Sequence, residues 1–274
     1  MKLLHLTDIH LTTPGNTIAG RDPNANFTRA LEHAVKIHPD AEAIVITGDL
    51  SDWGERDDYV RLRDQIADLP LPVHLCIGNH DDRETFLSVF PDYRDTSGFA
   101  QRVVPLSLGH AVLLDTWEAG THAGTFCAAR AEWLDTTLSA LPGPVWLFLH
   151  HNPLPLGIAP FDEIMLLDAD RLGEVLERHT ATLRHVFHGH THLTLSGSFR
   201  GVPLTGLRGT NHAGWPDFEA TQFLAGSDLN ECYGVVLATE TGTLIHQVEF
   251  GYDGEIRREG SPDKADWDRL TMVR

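Results

Sequence analysis

The sequence predicts an α/β fold, and two patterns carry that prediction. Short apolar runs alternate with amphipathic helical patterns through the first two thirds of the 274-residue chain. Short polar segments holding Asp, Asn or His stand directly after several of those runs, where α/β sheets collect their ligands.

Residues 2–7 read as a buried first strand. Residues 26–38 read as a helix, with Phe27, Ala30, Leu31, Ala34 and Val35 at helical spacing and Pro39 as its stop. Residues 43–47 are a second strand. Residues 56–69 are a helix with Tyr59, Leu62, Ile66 and Leu69 on one face, and residues 73–77 a third strand. A short helix over 83–90 is stopped by Pro91. Residues 103–106 and 111–115 read as strands, 130–141 as a helix, 145–149 as a buried strand, 168–179 as a helix and 184–187 as a strand. Past Gly189 the pattern changes. Residues 193–199, 202–205, 233–238 and 243–250 are strand-like and separated by Gly-containing turns, a β-rich portion from about residue 193. The β-rich portion from about residue 193 is expected to contribute to the substrate pocket and dimer contacts; within it the block 210–231 is irregular, long inserts of that kind are commonly functional, and it is expected to help build the pocket. The polar stretch from Arg257 reads as a tail. No repeat or linker interrupts the chain, so one domain is expected over 1–274.

Composition narrows the function classes. The 21 basic and 39 acidic residues give a formal charge of -18, which argues against binding nucleic-acid polymers or anionic membranes. The longest apolar runs are too short to cross a bilayer, and the start reads as a strand rather than a signal peptide. Three widely spaced cysteines, Cys76, Cys127 and Cys232, suggest a reducing compartment, hence a cytoplasmic protein.

The chemistry lies in five segments: Asp8-Ile9-His10, Gly48-Asp49, Gly78-Asn79-His80-Asp81, His150-His151 and His188-Gly189-His190-Thr191-His192. Singly, each residue has an ordinary reading as a cap, a turn or a packing histidine. Together, carboxylate oxygens and imidazole nitrogens suit borderline divalent ions such as Mn, Fe, Co or Zn. Calcium would call for mostly oxygen ligands, and a closed zinc site would more often use cysteine. Asp49 has the lone pairs to bridge two ions, and Asn79 adds a neutral oxygen.

In this order the segments resemble the calcineurin-like metallophosphoesterase superfamily over residues 1 to about 192. The stretches Gly78-Asn-His-Asp-Asp82, His150-His-Asn-Pro-Leu154 and Gly189-His-Thr-His192 are most similar to its class III cyclic nucleotide phosphodiesterase and bacterial glycerophosphodiesterase branch. The resemblance implies a four-layer α/β/β/α sandwich of two mixed sheets flanked by helices. It implies two divalent transition-metal ions: Asp8, His10 and His190 on the first, Asn79, His150 and His188 on the second, and Asp49 bridging. Water activated between them would attack a small phosphodiester: a cyclic nucleotide, a glycerophosphodiester or a related alkyl or aryl ester. His80 would contact the phosphate and protonate the leaving oxygen, with Asn79 also at the substrate and Asp81 orienting His80. His151 and His192 read as supporting or structural. His212, in the insert, is a candidate for the phosphate pocket, and Arg21 and Arg208 are weaker candidates to clamp an anion. Relatives of this kind suggest a homodimer. The rival readings are a phosphomonoesterase that grips its dianion with an arginine such as Arg83, a nuclease, and a scaffold without chemistry. The acidic balance opposes the nuclease, and the complete ligand set opposes the scaffold.

Overall fold

The computed structural model describes residues 1–256; the expected tail from Arg257 lies outside the described residues. In chain order the elements begin with β1 (Lys2–Leu6), α1 (Pro23–Ile37), β2 (Ala43–Thr47), α2 (Arg56–Ala67), β3 (Val73–Cys76) and α3 (Arg83–Val89). After one 3-10 turn at Pro91–Tyr93 come β4 (Arg102–Leu106), β5 (Gly109–Leu113), α4 (Ala128–Ala140), β6 (Val145–Phe148), α5 (Ala159–Asp162), α6 (Ala169–Arg178) and β7 (Leu183–His188). Then follow β8 (Leu195–Phe199), β9 (Val202–Gly206), β10 (Ala213–Trp215), β11 (Ala225–Ser227), β12 (Tyr233–Ala238) and β13 (Thr243–Val248).

Two mixed sheets result. The first runs β13-β12-β1-β2-β3, with β1, β2 and β3 parallel and β12 antiparallel to β1. The second runs β4-β5-β6-β7-β9-β8, with β5, β6, β7 and β9 parallel. Strand alternation explains the layering, because successive side chains point to opposite faces. Leu4, Leu6, Ile44 and Ile46 face outward against Phe27 of α1, Tyr59 and Leu62 of α2 and Phe86 of α3. Leu3, Val45, Leu113, Trp146, Phe148 and Phe187 face inward and join the sheets. Val112, Leu147 and Val186 pack on Leu134 of α4 and Leu172 and Leu176 of α6. Strands buried on both faces read as continuous apolar runs, and for that reason β1, β2 and β6 stood out in the sequence.

Several expectations shift. α1 starts at Pro23, earlier than its apolar spacing indicates: Asp22 caps it by accepting the Ala25 N–H at 3.1 Å, and Pro23 occupies the first turn. The β-rich C-terminal portion divides between the two sheets. β8 and β9 join the second sheet, while β12 and β13 join the first, so the N-terminal strand β1 pairs with a strand from the end of the described chain. The irregular block contains the β10–β11 hairpin, with Gly214 opposite Gly226. Among the described residues, no helix is long and apolar enough to cross a membrane.

Candidate metal centre

Each residue of the cluster stands two to four positions past the carboxyl end of a parallel strand. Asp8 and His10 follow β1, Asp49 follows β2, Asn79 follows β3, His150 follows β6, and His190 and His192 follow β7. The chain turns sharply there. Of the seven non-glycine residues with positive φ among the described residues, five are Asp8 (51°), His10 (47°), Asp49 (48°), His190 (70°) and His192 (51°). Such conformations cost on the order of 1–3 kcal/mol each and persist where the surroundings enforce them. The enforcement is visible: the N–H groups of Asp8, His10 and Leu11 donate to the carbonyls of Gly48, Asp49 and Leu50, at 3.1, 2.8 and 3.0 Å. Gly48 adopts φ +97°, and a Cβ there would press into the His150 ring.

The side chains form two adjoining nests. In one, His192 Nε2 lies 3.6 Å from Asp8 Oδ1 and 3.3 Å from His10 Nε2, and His10 Nε2 lies 3.6 Å from Asp49 Oδ2. In the other, Asn79 Oδ1 lies 3.0 Å from His150 Nε2 and 2.7 Å from His190 Nδ1, and His150 Nε2 lies 3.3 Å from Asp49 Oδ1. Asp49 thus turns one oxygen to each nest.

The opposite nitrogen of each imidazole is already committed. His10 Nδ1 pairs with Asp52 Oδ1 at 3.1 Å, His150 Nδ1 with the Thr47 carbonyl at 2.7 Å, His190 Nε2 with the Ile164 carbonyl at 3.0 Å and His192 Nδ1 with the His212 carbonyl at 3.0 Å. Each donates its ring N–H outward, so each neutral ring turns a lone pair inward, as partners behind metal-bound histidines arrange. Asn79 Nδ2 donates to His122 Nδ1 at 2.9 Å, which aims the amide oxygen at the nest. Carboxylate, amide and imidazole acceptors facing one another at these distances fit a divalent cation. The field agrees. Burial works against charge on His150, yet Asp49 raises its pKa to about 9. Burial also opposes charge on Asp49, but His150, His80 and His10 hold it well below the usual carboxylate range. A divalent ion bound there would displace the proton that this field attracts.

Two expectations are corrected. His188 does not enter the cluster. It is the last residue of β7, paired in the ladder with Gly206, fully buried, with Nδ1 2.9 Å from the Gly189 carbonyl. His192 takes the place next to Asp8 and His10, and His190 sits instead with Asn79 and His150. Asp81 does not orient the His80 ring. Its carboxylate turns into the core and accepts from the N–H groups of Gly78, Leu50 and Ser51 at 2.7, 3.1 and 3.0 Å and from Tyr59 Oη at 2.9 Å. Burial, then Asp49, pushes its pKa up to about 6.

His80 lines the cavity beside the nests, with Nδ1 3.0 Å from the Asp52 carbonyl. His212 also lines it, its ring 4.1 Å from His192 and 5.0 Å from His10; burial, then its histidine neighbours, lowers its pKa to about 2. His151 is buried behind His190, with Nδ1 2.8 Å from Thr116 Oγ1. Sequence reasoning missed Asp52, whose signal was a second carboxylate three residues after Asp49. It also missed His122, which stands in a loop with no local signal. With the strand ends of the structure, Asp8 and His10 follow β1 at the same offsets as His190 and His192 follow β7; with the ends read from the sequence, residues 7 and 187, the same offsets point to His188 and His190, so His192 had no clear local signal.

Acceptors converging in this way at the strand ends of a two-sheet sandwich are the arrangement of a metal-dependent hydrolase. A family model described as calcineurin-like phosphoesterase matches residues 1–193, and the chain belongs to that family. It is similar to a probable cyclic nucleotide phosphodiesterase of Rhodopseudomonas palustris, 37% identical over 261 residues, 93% of this chain and 95% of that one. It is also similar to the glycerophosphodiester phosphodiesterase GpdQ of Enterobacter lignolyticus, 28% identical over 218 residues, 77% of this chain and 78% of that one. In fold it is similar to the purple acid phosphatase PPD1 of yellow lupin, with a TM-score of 0.65 at 12% identity, covering 93% of this chain and about half (52%) of that one. The family uses divalent metals, and the His/Asp cluster provides for them.

Proposed function

We propose that the chain hydrolyses a small, monoanionic phosphodiester at a dinuclear metal centre. Asp8, His10 and His192 would hold one ion and Asn79, His150 and His190 the other, with the Asp49 carboxylate shared between them. Divalent Mn, Fe, Zn or Co, when bound, supplies a water of lowered pKa and draws charge from the phosphoryl oxygens. His80, its Nδ1–H donated to the Asp52 carbonyl, would in its imidazolium form present Nε2–H to the leaving oxygen and give up that proton as the ester bond breaks. Asn79 and His212 border the same space and meet the phosphoryl group. The relatives named as cyclic nucleotide and glycerophosphodiester phosphodiesterases support this chemistry.

The observation that favours a diester over a monoester is the charge of the cavity wall. Its lining, about 550 Å³ around, contains Asp49, Asp52 and Glu163 but no lysine or arginine among the described residues. A monoester dianion would gain no side-chain cation to offset its extra charge. Arg83, the natural candidate, is bound elsewhere: Nε and Nη2 lie 2.6 and 3.0 Å from Asp115, and the guanidinium stacks on Trp117 at 4.6 Å. Arg21 pairs with Glu231 at 2.9 Å and Arg208 with Glu249 at 2.7 Å. The same reading takes the chain as one domain and a cytoplasmic homodimer; free thiols at Cys76, Cys127 and Cys232 agree with a reducing compartment. With Mn added, kcat/KM for bis(4-nitrophenyl) phosphate should exceed that for 4-nitrophenyl phosphate by about tenfold or more, a difference of ~1.4 kcal/mol. Equal values, or a monoester preference, would sink the diester reading.

A further inference from the structure

One histidine of the cavity has its proton placed by residues well outside the cavity. His212 stands beside His10 and His192, and one nitrogen from each ring lies within 4.8 Å of the others, close enough to share an ion. A neutral imidazole has one lone pair, and the nitrogen that keeps it decides whether the ring can ligate or only donate.

A chain of amides makes that choice, and groups of a single polarity fix its direction. Arg29 only donates, and its Nη2 lies 2.6 Å from Asn26 Oδ1. A carboxylate only accepts, and Glu231 Oε1 lies 3.3 Å from Asn26 Nδ2. Asn26 Nδ2 also donates to Asn211 Oδ1 at 3.0 Å. The Asn211 amide is thereby turned with Nδ2 toward His212 Nδ1, 3.2 Å away. An amide nitrogen donates, so Nδ1 accepts and the ring proton belongs to Nε2. Asn26 and Asn211 are 5% and 0% exposed, which shields these bonds from bulk water. The backbone is held too: Arg21 donates to the Asn211 carbonyl at 3.3 Å, and the His212 carbonyl accepts from His192 Nδ1 at 3.0 Å.

We propose that Asn26 and Asn211 are positioning residues that hold His212 as the Nε2–H tautomer, which denies the ring to the metal and makes it a neutral hydrogen-bond donor to a phosphoryl oxygen. This rests on the phosphodiesterase reading above. With Nδ1 engaged by an amide and Nε2 protonated, neither nitrogen offers a lone pair to an ion. The nest of Asp8, His10 and His192 then keeps room for water or substrate, as an open hydrolytic site requires.

The test reads the tautomer directly. Zinc-loaded protein, isotopically labelled on its imidazole nitrogens, is studied by NMR, with the His212 signals assigned by their loss in His212→Phe or His212→Gln. In the wild type Nε2 should carry the proton and Nδ1 none. Asn26→Asp puts an acceptor where Asn26 donates, so the Asn211 amide should turn over and the ring proton should appear on Nδ1. Asn211→Asp, which keeps its contact with Asn26, should have the same effect. In both variants the visible spectrum of the cobalt-loaded protein should change as His212 joins the ion, and Kd for dimethylphosphinate should rise by about tenfold or more. His212→Phe should also lose phosphinate affinity, yet keep its metal content. A wild-type proton on Nδ1, a wild-type Nε2 bound to zinc, or an Nε2–H tautomer unchanged in both Asn variants overturns the proposal. So does a switched tautomer that leaves the cobalt spectrum and phosphinate affinity as they were. The spectra need no turnover, so a protein that hydrolyses no diester defeats the phosphodiesterase reading, and the position of the proton still decides this one.

Discussion

His188 and His192 share a residue type and a neighbourhood, and backbone position alone separates their roles. His188 ends β7 inside the ladder, its pKa lowered by burial to about 4. His192 stands four residues on, at φ 51°, with Nε2 turned to Asp8 and His10. His192→Asn should strip metal from its nest and lower kcat/KM by about 100-fold or more, since even partners behind metal ligands are worth ~10–100-fold. His188→Asn should keep its metal content and lose only thermal stability. Metal analysis of the two variants side by side checks this, and the reverse result would restore His188 as the ligand. Asp81 belongs to the same scale. Asp81→Ala leaves three buried N–H groups and the Tyr59 hydroxyl without their acceptor, and such groups cost about 1–3 kcal/mol each before relaxation. Urea unfolding should show a loss of at least ~2 kcal/mol, larger than any change in the pH profile of turnover.

At the level of elements, the loops that end β1, β2 and β7 carry the strain, and the strands hold it. Gly48→Ala tests this coupling: the residue sits at φ +97° against His150, directly before the bridging Asp49. The variant should bind less than half the wild-type metal and lose stability by ~1–3 kcal/mol. Wild-type metal content would show that the turn is not needed to set the nests. Long apolar or amphipathic elements were legible because their period follows from burial: β1, β2, β6, α2 and α6 fall close to where the sequence puts them. Short ones were not. α5 is a single turn over Ala159–Asp162, and β10 and β11 pair over three residues each. Such pieces have too few residues to show a period and are formed by tertiary contacts.

Across the whole molecule, several histidines are buried where protonation is resisted. Burial lowers the pKa of His5 to about 3 and those of His74 and His185 to about 4. In the unfolded chain each titrates near 6.5. Between those values the unfolded chain binds more protons, so stability rises with pH and is lost as pH falls from about 6.5 toward 4. Urea midpoints at pH 7, 5.5 and 4.5 should therefore decline in that order. His5→Gln should decline less steeply than wild type, and parallel slopes would show that His5 does not contribute. The placement of His5 follows from global topology: β1 lies between β2 and β12, so its inward face meets Phe148 and Phe187 of the other sheet.

The sequence by itself determined the α/β alternation, the strand-end positions of Asp8, Asp49, Asn79 and His150, and the family, while it set His188 past a strand that in fact includes it. Those features are written in local burial periods and short motifs, which need no partner to be read. Only the tertiary structure decided which histidine joins which nest, that Asp81 braces the backbone while Asp52 meets both His10 and His80, that Arg83 is bound to Asp115, and that Asn26 meets Asn211. Each of those depends on side-chain direction and on contacts between segments far apart in the chain, and neither is encoded in the spacing of residues along it.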